Sequence, residues 1–346
     1  MKAGNLVSAK DKNAIPVHYV GNSVKCITGN QKLFVDKFIA PIKFSDIKEM
    51  GASAIYSIAN KDVLSNEDVN RNLLVSLEDK KPFYYTKLNH GYWNNLVYSS
   101  ALMDENGRFG QLCTKYLSNN PKKVRLAASA YSKYISSSFA LKLNAAVLDA
   151  DCTGNLSLGV GLDNGVQDIG ENIKSLESIL CKDRIIARDR LDILSLCIMN
   201  TYLHGVSRVV SSNIPKSLVT NDSMLTRFVK CIDNHQKIVV ASKNTLDCIE
   251  DESVAKIEIP AANSYYQEVF YYPERILELV ERAVGQYSYS VVLMEAGPVA
   301  SYVASSMCKN KVDVACIDMG MALVNIFNKD VIKGNWKDLS GNLVGY

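Results

Sequence analysis

The sequence predicts an α/β protein: a mostly parallel, Rossmann-like sheet with helices on both faces, plus an N-terminal α/β extension. Two observations carry this. Short apolar runs begin near residues 237, 254, 290 and 312, and helix-like segments alternate with them. The stretch 289–327, YSVVLMEAGPVASYVASSMCKNKVDVACIDMGMALVNIF, also reads as a complete βαβ unit. Val291–Met294 is a strand apolar on both faces, and Glu295-Ala296-Gly297-Pro298 is a turn with Pro298 suited to a first helical turn. The helix runs to about Cys308, and a second strand, Val312–Ile317, ends on Asp318-Met319-Gly320. Ligands of such sheets bind beyond the carboxyl ends of the strands, which makes these two turns candidate ligand loops. Read blandly, they are ordinary strand-end loops.

Composition sets the bounds. The chain of 346 residues is 47% hydrophobic, enough for a large core, and contains no apolar run near the ~20 residues of a membrane span. Its first residues, MKAGNLVSAKDKNAIP, lack the apolar centre of a secretory signal. Nine cysteines without paired spacing suit free thiols in a reducing cytoplasm better than disulfides or a zinc site. A formal charge of +3 neither requires nor excludes a nucleic-acid partner.

In chain order, residues 1–75 read as the extension, with strands at Ile15–Val20 and Val24–Thr28 and helices at Lys32–Ile39 and Phe44–Met50. Asn66–Glu78 is a helix capped by Ser65 or Asn66, and Phe83–Leu88 is a strand. After it stand Asn89, His90, Gly91, Tyr92 and Trp93, and just before its end Lys87. A lysine can meet a phosphate and an aromatic can stack on a base; equally, the aromatics could simply pack the next helix. Residues 121–143 predict a helix bearing Lys122, Lys123, Arg125, Lys133 and Lys142, a phosphate-facing surface or a solvated one. The apolar run before Asp149-Ala150-Asp151 reads as a strand ending on two carboxylates, a pattern that can hold a divalent metal on a diphosphate. Residues 165–230 read as mostly helical. Strands follow at Lys237–Ala241 and Val254–Ile259, then Asn263, Tyr265 and Tyr266, then the helix Pro273–Val284.

The series KIVVAS, IEIPAANSYYQ, VVLMEAGPVASYVASSM and VACIDMG resembles the carboxyl-terminal half of the GT-D-type glycosyltransferases, with their G-P-[ST]-A-like and I-D-I-G-like turns. The resemblance spans roughly 80–328. It implies a nucleotide-sugar donor, a UDP-sugar first, and ligand contacts at Gly297, Pro298, Asp318 and Gly320, with Asp151 and Asn263. The family's acidic pair is replaced here by His90 and Tyr92, within Lys87–Trp93. Either Asp149 and Asp151 hold manganese or magnesium, or Lys87, His90 and helix amino termini stabilise the departing diphosphate without metal; a third outcome is binding without catalysis.

The expectation is therefore a cytoplasmic glycosyltransferase, with domain 76–328 and a tail at 329–346. Its proton-transfer candidates are Asp151, Asp318 and His90, with Glu295 also in reach. Its donor-binding candidates are Lys87, Asn89, Gly91, Tyr92, Asn263, Tyr265, Glu295, Gly297, Pro298 and Gly320. The acceptor is a hydroxyl, either hydroxymethylated pyrimidine in DNA, as in phage DNA glucosylation or arabinosylation, or a bacterial glycan or glycoprotein. A non-catalytic nucleotide-binding protein stays open. A dinucleotide oxidoreductase is disfavoured, because Gly159-Val160-Gly161 is followed by Asn164 where a third glycine belongs.

Overall fold

The computed structural model describes residues 39–89, 92–93, 96–97, 111, 115, 137–151, 154–162, 169–259 and 273–327. Eight strands form one sheet: β1 (Asp62–Leu64), β2 (Phe83–Leu88), β3 (Leu156–Val160), β4 (Arg208–Ser211), β5 (Gln236–Ser242), β6 (Ala255–Ile259), β7 (Ser290–Met294) and β8 (Val314–Asp318). Their order is β1-β4-β3-β2-β8-β7-β5-β6, and every pairing is parallel. The predicted Rossmann-like architecture is thus present, with all carboxyl ends on one edge.

Parallel strands need helical crossovers, and these cover both faces. On β7, Val292 and Met294 enter one core while Val291 and Leu293 enter the other; Cys316 and Ile317 divide likewise on β8. One face is covered by α1 (Phe44–Ala59), α3 (Ser137–Asp151), α4 (Ile169–Leu180), α5 (Ala187–Tyr202), α9 (Pro273–Val284) and α10 (Pro298–Lys309). The other face carries α2 (Asn66–Glu78), α6 (Ile214–Val219), α7 (Asp222–Asp233), α8 (Lys243–Asp247) and α11 (Leu323–Phe327). Ser65 caps α2 as expected, its hydroxyl accepting the Asp68 N–H at 3.1 Å. Fully buried Trp93 donates its ring N–H to the Leu88 carbonyl at 2.9 Å and so fixes the chain where it leaves β2.

β1 pairs with β4, α1 buries Ile47, Ile55 and Ile58 in the core shared with α3, and position 75 lies inside α2. One expectation changes. The run ending at Asp151 is the end of α3, and the strand comes afterwards, at Leu156. Among the described residues the stretch 165–230 is mostly helical as expected, with one strand, β4, among its helices. The expectations for Ile15–Val20, Val24–Thr28, His90, Gly91, Asn263, Tyr265 and Tyr266, and for most of helix 121–143, lie outside the described residues.

Candidate functional site at the carboxyl edge of the sheet

Parallel register brings distant residues to one edge. Met294 pairs with Asp318 and with Val240, and Tyr85 pairs with Ile317, so Lys87, Asp318, Glu295 and Ser242 end four neighbouring strands together. The chain then leaves alternately. After β2 it passes to the face of Trp93, after β8 to α11 on the other, after β7 to α10 on the first, and after β5 to α8 on the second. Neighbouring exits that part in this way leave crevices at the carboxyl edge.

Asp318 is 1% exposed. Its carboxylate accepts the Gly320 N–H at 3.1 Å, and the backbone N–H of Lys87 acts on it electrostatically. It thereby braces the turn after β8, beside the end of β2. Burial is the main cause that raises its pKa, to about 6; Lys87 and the two N–H groups oppose this, and Glu295 adds to it.

The Lys87 ammonium lies against Gly320. A Cβ added there would overlap Lys87 Nζ and stand 2.9 Å from Cε, with Asp318 Oδ1 3.9 Å away. Gly320 also has φ +50°, in the left-handed region. It is glycine for two reasons: the backbone angle and the lysine in the space a side chain would fill. Lys87 is half-buried, and its ammonium forms no ion pair or hydrogen bond among the described residues.

Glu295 is half-buried, and its Oε2 accepts the hydroxyl of buried Thr245 at 2.6 Å. Burial raises its pKa, against the Thr245 hydrogen bond and the Lys87 charge. Thr245, on α8, was missed by sequence reasoning. It lies 50 residues from its partner, and no local signal marks it.

Gly297, at φ +52°, precedes Pro298 in the first turn of α10, and a Cβ on it would meet nothing within 4 Å. The N–H groups of Val299 and Ala300 bond to the carbonyls of Ala296 and Gly297 at 3.2 and 3.0 Å. At these two residues the helix start offers an anion its dipole rather than free N–H donors.

Other candidates fall elsewhere. Asn89 sits at this edge, half-buried, its carbonyl accepting the Tyr92 N–H at 2.9 Å. Tyr92 and Trp93 are buried, edge to face at 4.8 Å between ring centroids, so the packing alternative holds for both in place of base stacking. Asp149 and Asp151 end α3, at the amino edge of the sheet and across it from Lys87. Asp149 pairs with Lys309 at 2.7 Å, and Asp151 accepts the Ser207 N–H at 3.1 Å. A lysine already holds the place a cation would take at Asp149, so this pair does not fit the expected metal on a diphosphate. Among the described residues no three His, Cys, Asp or Glu side chains cluster as metal ligands.

Comparison with protein-family models and with curated proteins finds no match. Among solved structures, the chain is similar to one described as "Selenomethionine substituted structure of domain of unknown function 1792 (DUF1792)", at 11% identity and a TM-score of 0.46, covering 81% of this chain and 82% of that one.

Proposed function

We propose that the protein is a glycosyltransferase that takes a sugar from a nucleoside-diphosphate donor, a UDP-sugar first, and places it on a hydroxyl acceptor. The observation that carries this reading is the half-buried Lys87 ammonium at the carboxyl edge, held against Gly320 beside two carboxylates. Glycosyl transfer asks for a fixed positive charge near the leaving diphosphate and a group that accepts the acceptor's proton. Lys87 and the dipole of α10 supply the first, and the two acids are candidates for the second. The acceptor class to try first is hydroxymethylated pyrimidine in duplex DNA, whose hydroxymethyl group already faces the major groove; bacterial glycan is the next.

Thermal unfolding against UDP, other nucleoside diphosphates, UDP-sugars and NAD, each with and without manganese, tests the donor class. A ligand at ~100 times its dissociation constant adds about 2.7 kcal/mol of stability. The expected result is a shift with UDP or one UDP-sugar that does not require manganese. A shift with NAD alone would sink the reading.

A further inference from the structure

The sequence offers both Asp318 and Glu295 as proton-transfer candidates, Glu295 also as a donor contact; the structure separates their roles. An acceptor hydroxyl must come within hydrogen-bond distance of the oxygen that takes its proton. Asp318 is 1% exposed, and its Oδ1 is committed to the N–H of Gly320. That bond sets the turn after β8, against whose Gly320 the Lys87 ammonium lies. Glu295 follows Met294, the register partner of Asp318, and so stands on the same edge. Unlike Asp318 it is part-exposed; Thr245 fixes its Oε2, and its Oε1 accepts no hydrogen bond among the described residues.

We infer that Glu295 is the catalytic proton acceptor of the transfer, with Thr245 orienting it, and that Asp318 is a positioning residue for Lys87. This rests on the glycosyltransferase reading. In the step, the acceptor oxygen forms a bond to the anomeric carbon as its proton passes to Glu295 Oε1. The bond from the anomeric carbon to the diphosphate oxygen breaks, and its electron pair leaves with UDP beside Lys87. No co-reactant beyond donor and acceptor is needed. Among the described residues, the charged or hydroxyl groups around Glu295 are Lys87 on β2, Asp318 on β8 and Thr245 on α8, whose hydroxyl has that of Ser242 at 3.4 Å.

The experiment uses the full chain and two readouts: thermal shift with UDP, and UDP release from UDP-glucose and other UDP-sugars, with 5-hydroxymethylcytosine duplex DNA, a glycan panel and water as acceptors. For Glu295→Gln the UDP shift is expected to stay close to that of the unaltered protein while release falls ~100-fold or more, the usual weight of a general base. For Thr245→Val the acidic limb of the rate profile is expected to move to higher pH, because a hydrogen bond that stabilises the ionised Glu295 is gone. For Asp318→Asn the UDP shift itself is expected to shrink. Release by Glu295→Gln within about threefold of the unaltered protein, or a Thr245→Val profile that does not move, would overturn the assignment. UDP binding by the unaltered protein with no release on any acceptor would overturn it too, leaving a nucleotide-binding protein. No UDP response from the unaltered protein would remove the transferase reading, and the assignment with it.

Discussion

At the amino edge of the sheet Lys237 reaches Asp233 and Asp251, each at 3.1 Å, whereas at the carboxyl edge the Lys87 ammonium lies near two acids and forms an ion pair with neither. The amino edge repeats its pattern elsewhere: Lys309 pairs with Asp149, and Lys61 donates to the carbonyls of Leu203 and Val206. The acids differ accordingly. Asp251 is held down at about 2, first by the Ser253 hydroxyl and then, against its partial burial, by Lys237. Asp318 is pushed up to about 6, and Glu295 upward, both chiefly by burial. Burial alone would lower the Lys237 ammonium too, but its bonds to Asp251 and Asp233 outweigh it. Among the described residues, Lys237, Lys309 and Lys61 at one edge are all bonded within the fold. The other keeps charges that a ligand could complete, and perturbed groups of that kind gather at functional sites.

The largest test of this contrast is the pH dependence of stability. Asp318 keeps its proton in the folded protein up to about 6, whereas unfolded it loses it near 3.8. Between those values the folded state binds more protons, so this group's contribution falls as pH rises, by about 3 kcal/mol in all. Urea unfolding across this range should show that descent, and Asp318→Asn should remove it. An unchanged slope in the variant would place the buried charge elsewhere.

Next in size is Gly320→Ala. A residue with a side chain at φ +50° costs about 1 kcal/mol, and the new methyl must displace Lys87. Unfolding should register a loss of ~1–2 kcal/mol, and the UDP thermal shift should weaken by more than that loss explains. A normal UDP response would detach Lys87 from the site.

The smallest effect belongs to the amino edge. Asp251 has its folded pKa depressed, so its contribution is present above about 3.8 and is lost as pH falls toward 2, opposite in sign to Asp318. Its side chain is 39% exposed, and solvent screening keeps the contribution below about 1 kcal/mol. Asp251→Asn should flatten that acid limb in urea unfolding and leave the UDP shift alone; a change in UDP binding would dissolve the distinction between the edges.

Much of the fold is written locally. The unit from Ser290 to Asp318 was legible because its strands are short apolar runs buried on both faces, with Gly297-Pro298 marking the helix start. Asn66–Glu78 and Phe83–Leu88 were legible for similar reasons, a capping serine and an aromatic run. β1, of three residues, is too short to carry a period, and β4, of four, is hidden among helices; both are strands because the growing sheet offers them a ladder. The run before Asp151 misled because an apolar stretch alone does not separate strand from helix. Its leucines and alanines were the available sign of a helix.

The candidate site divides the same way. The sequence by itself determined the parts made of neighbours: a lysine near the end of a strand, and turns with an acid and a glycine after two others. Tertiary structure alone decided their relation. It buried Asp318 and left Glu295 part-open, set Thr245 on Glu295 and Lys87 on Gly320, and sent Asp149 and Asp151 to the opposite edge. Exposure and charge pairing arise from strand order and register, which join segments far apart in the chain, and no local pattern of residues encodes them.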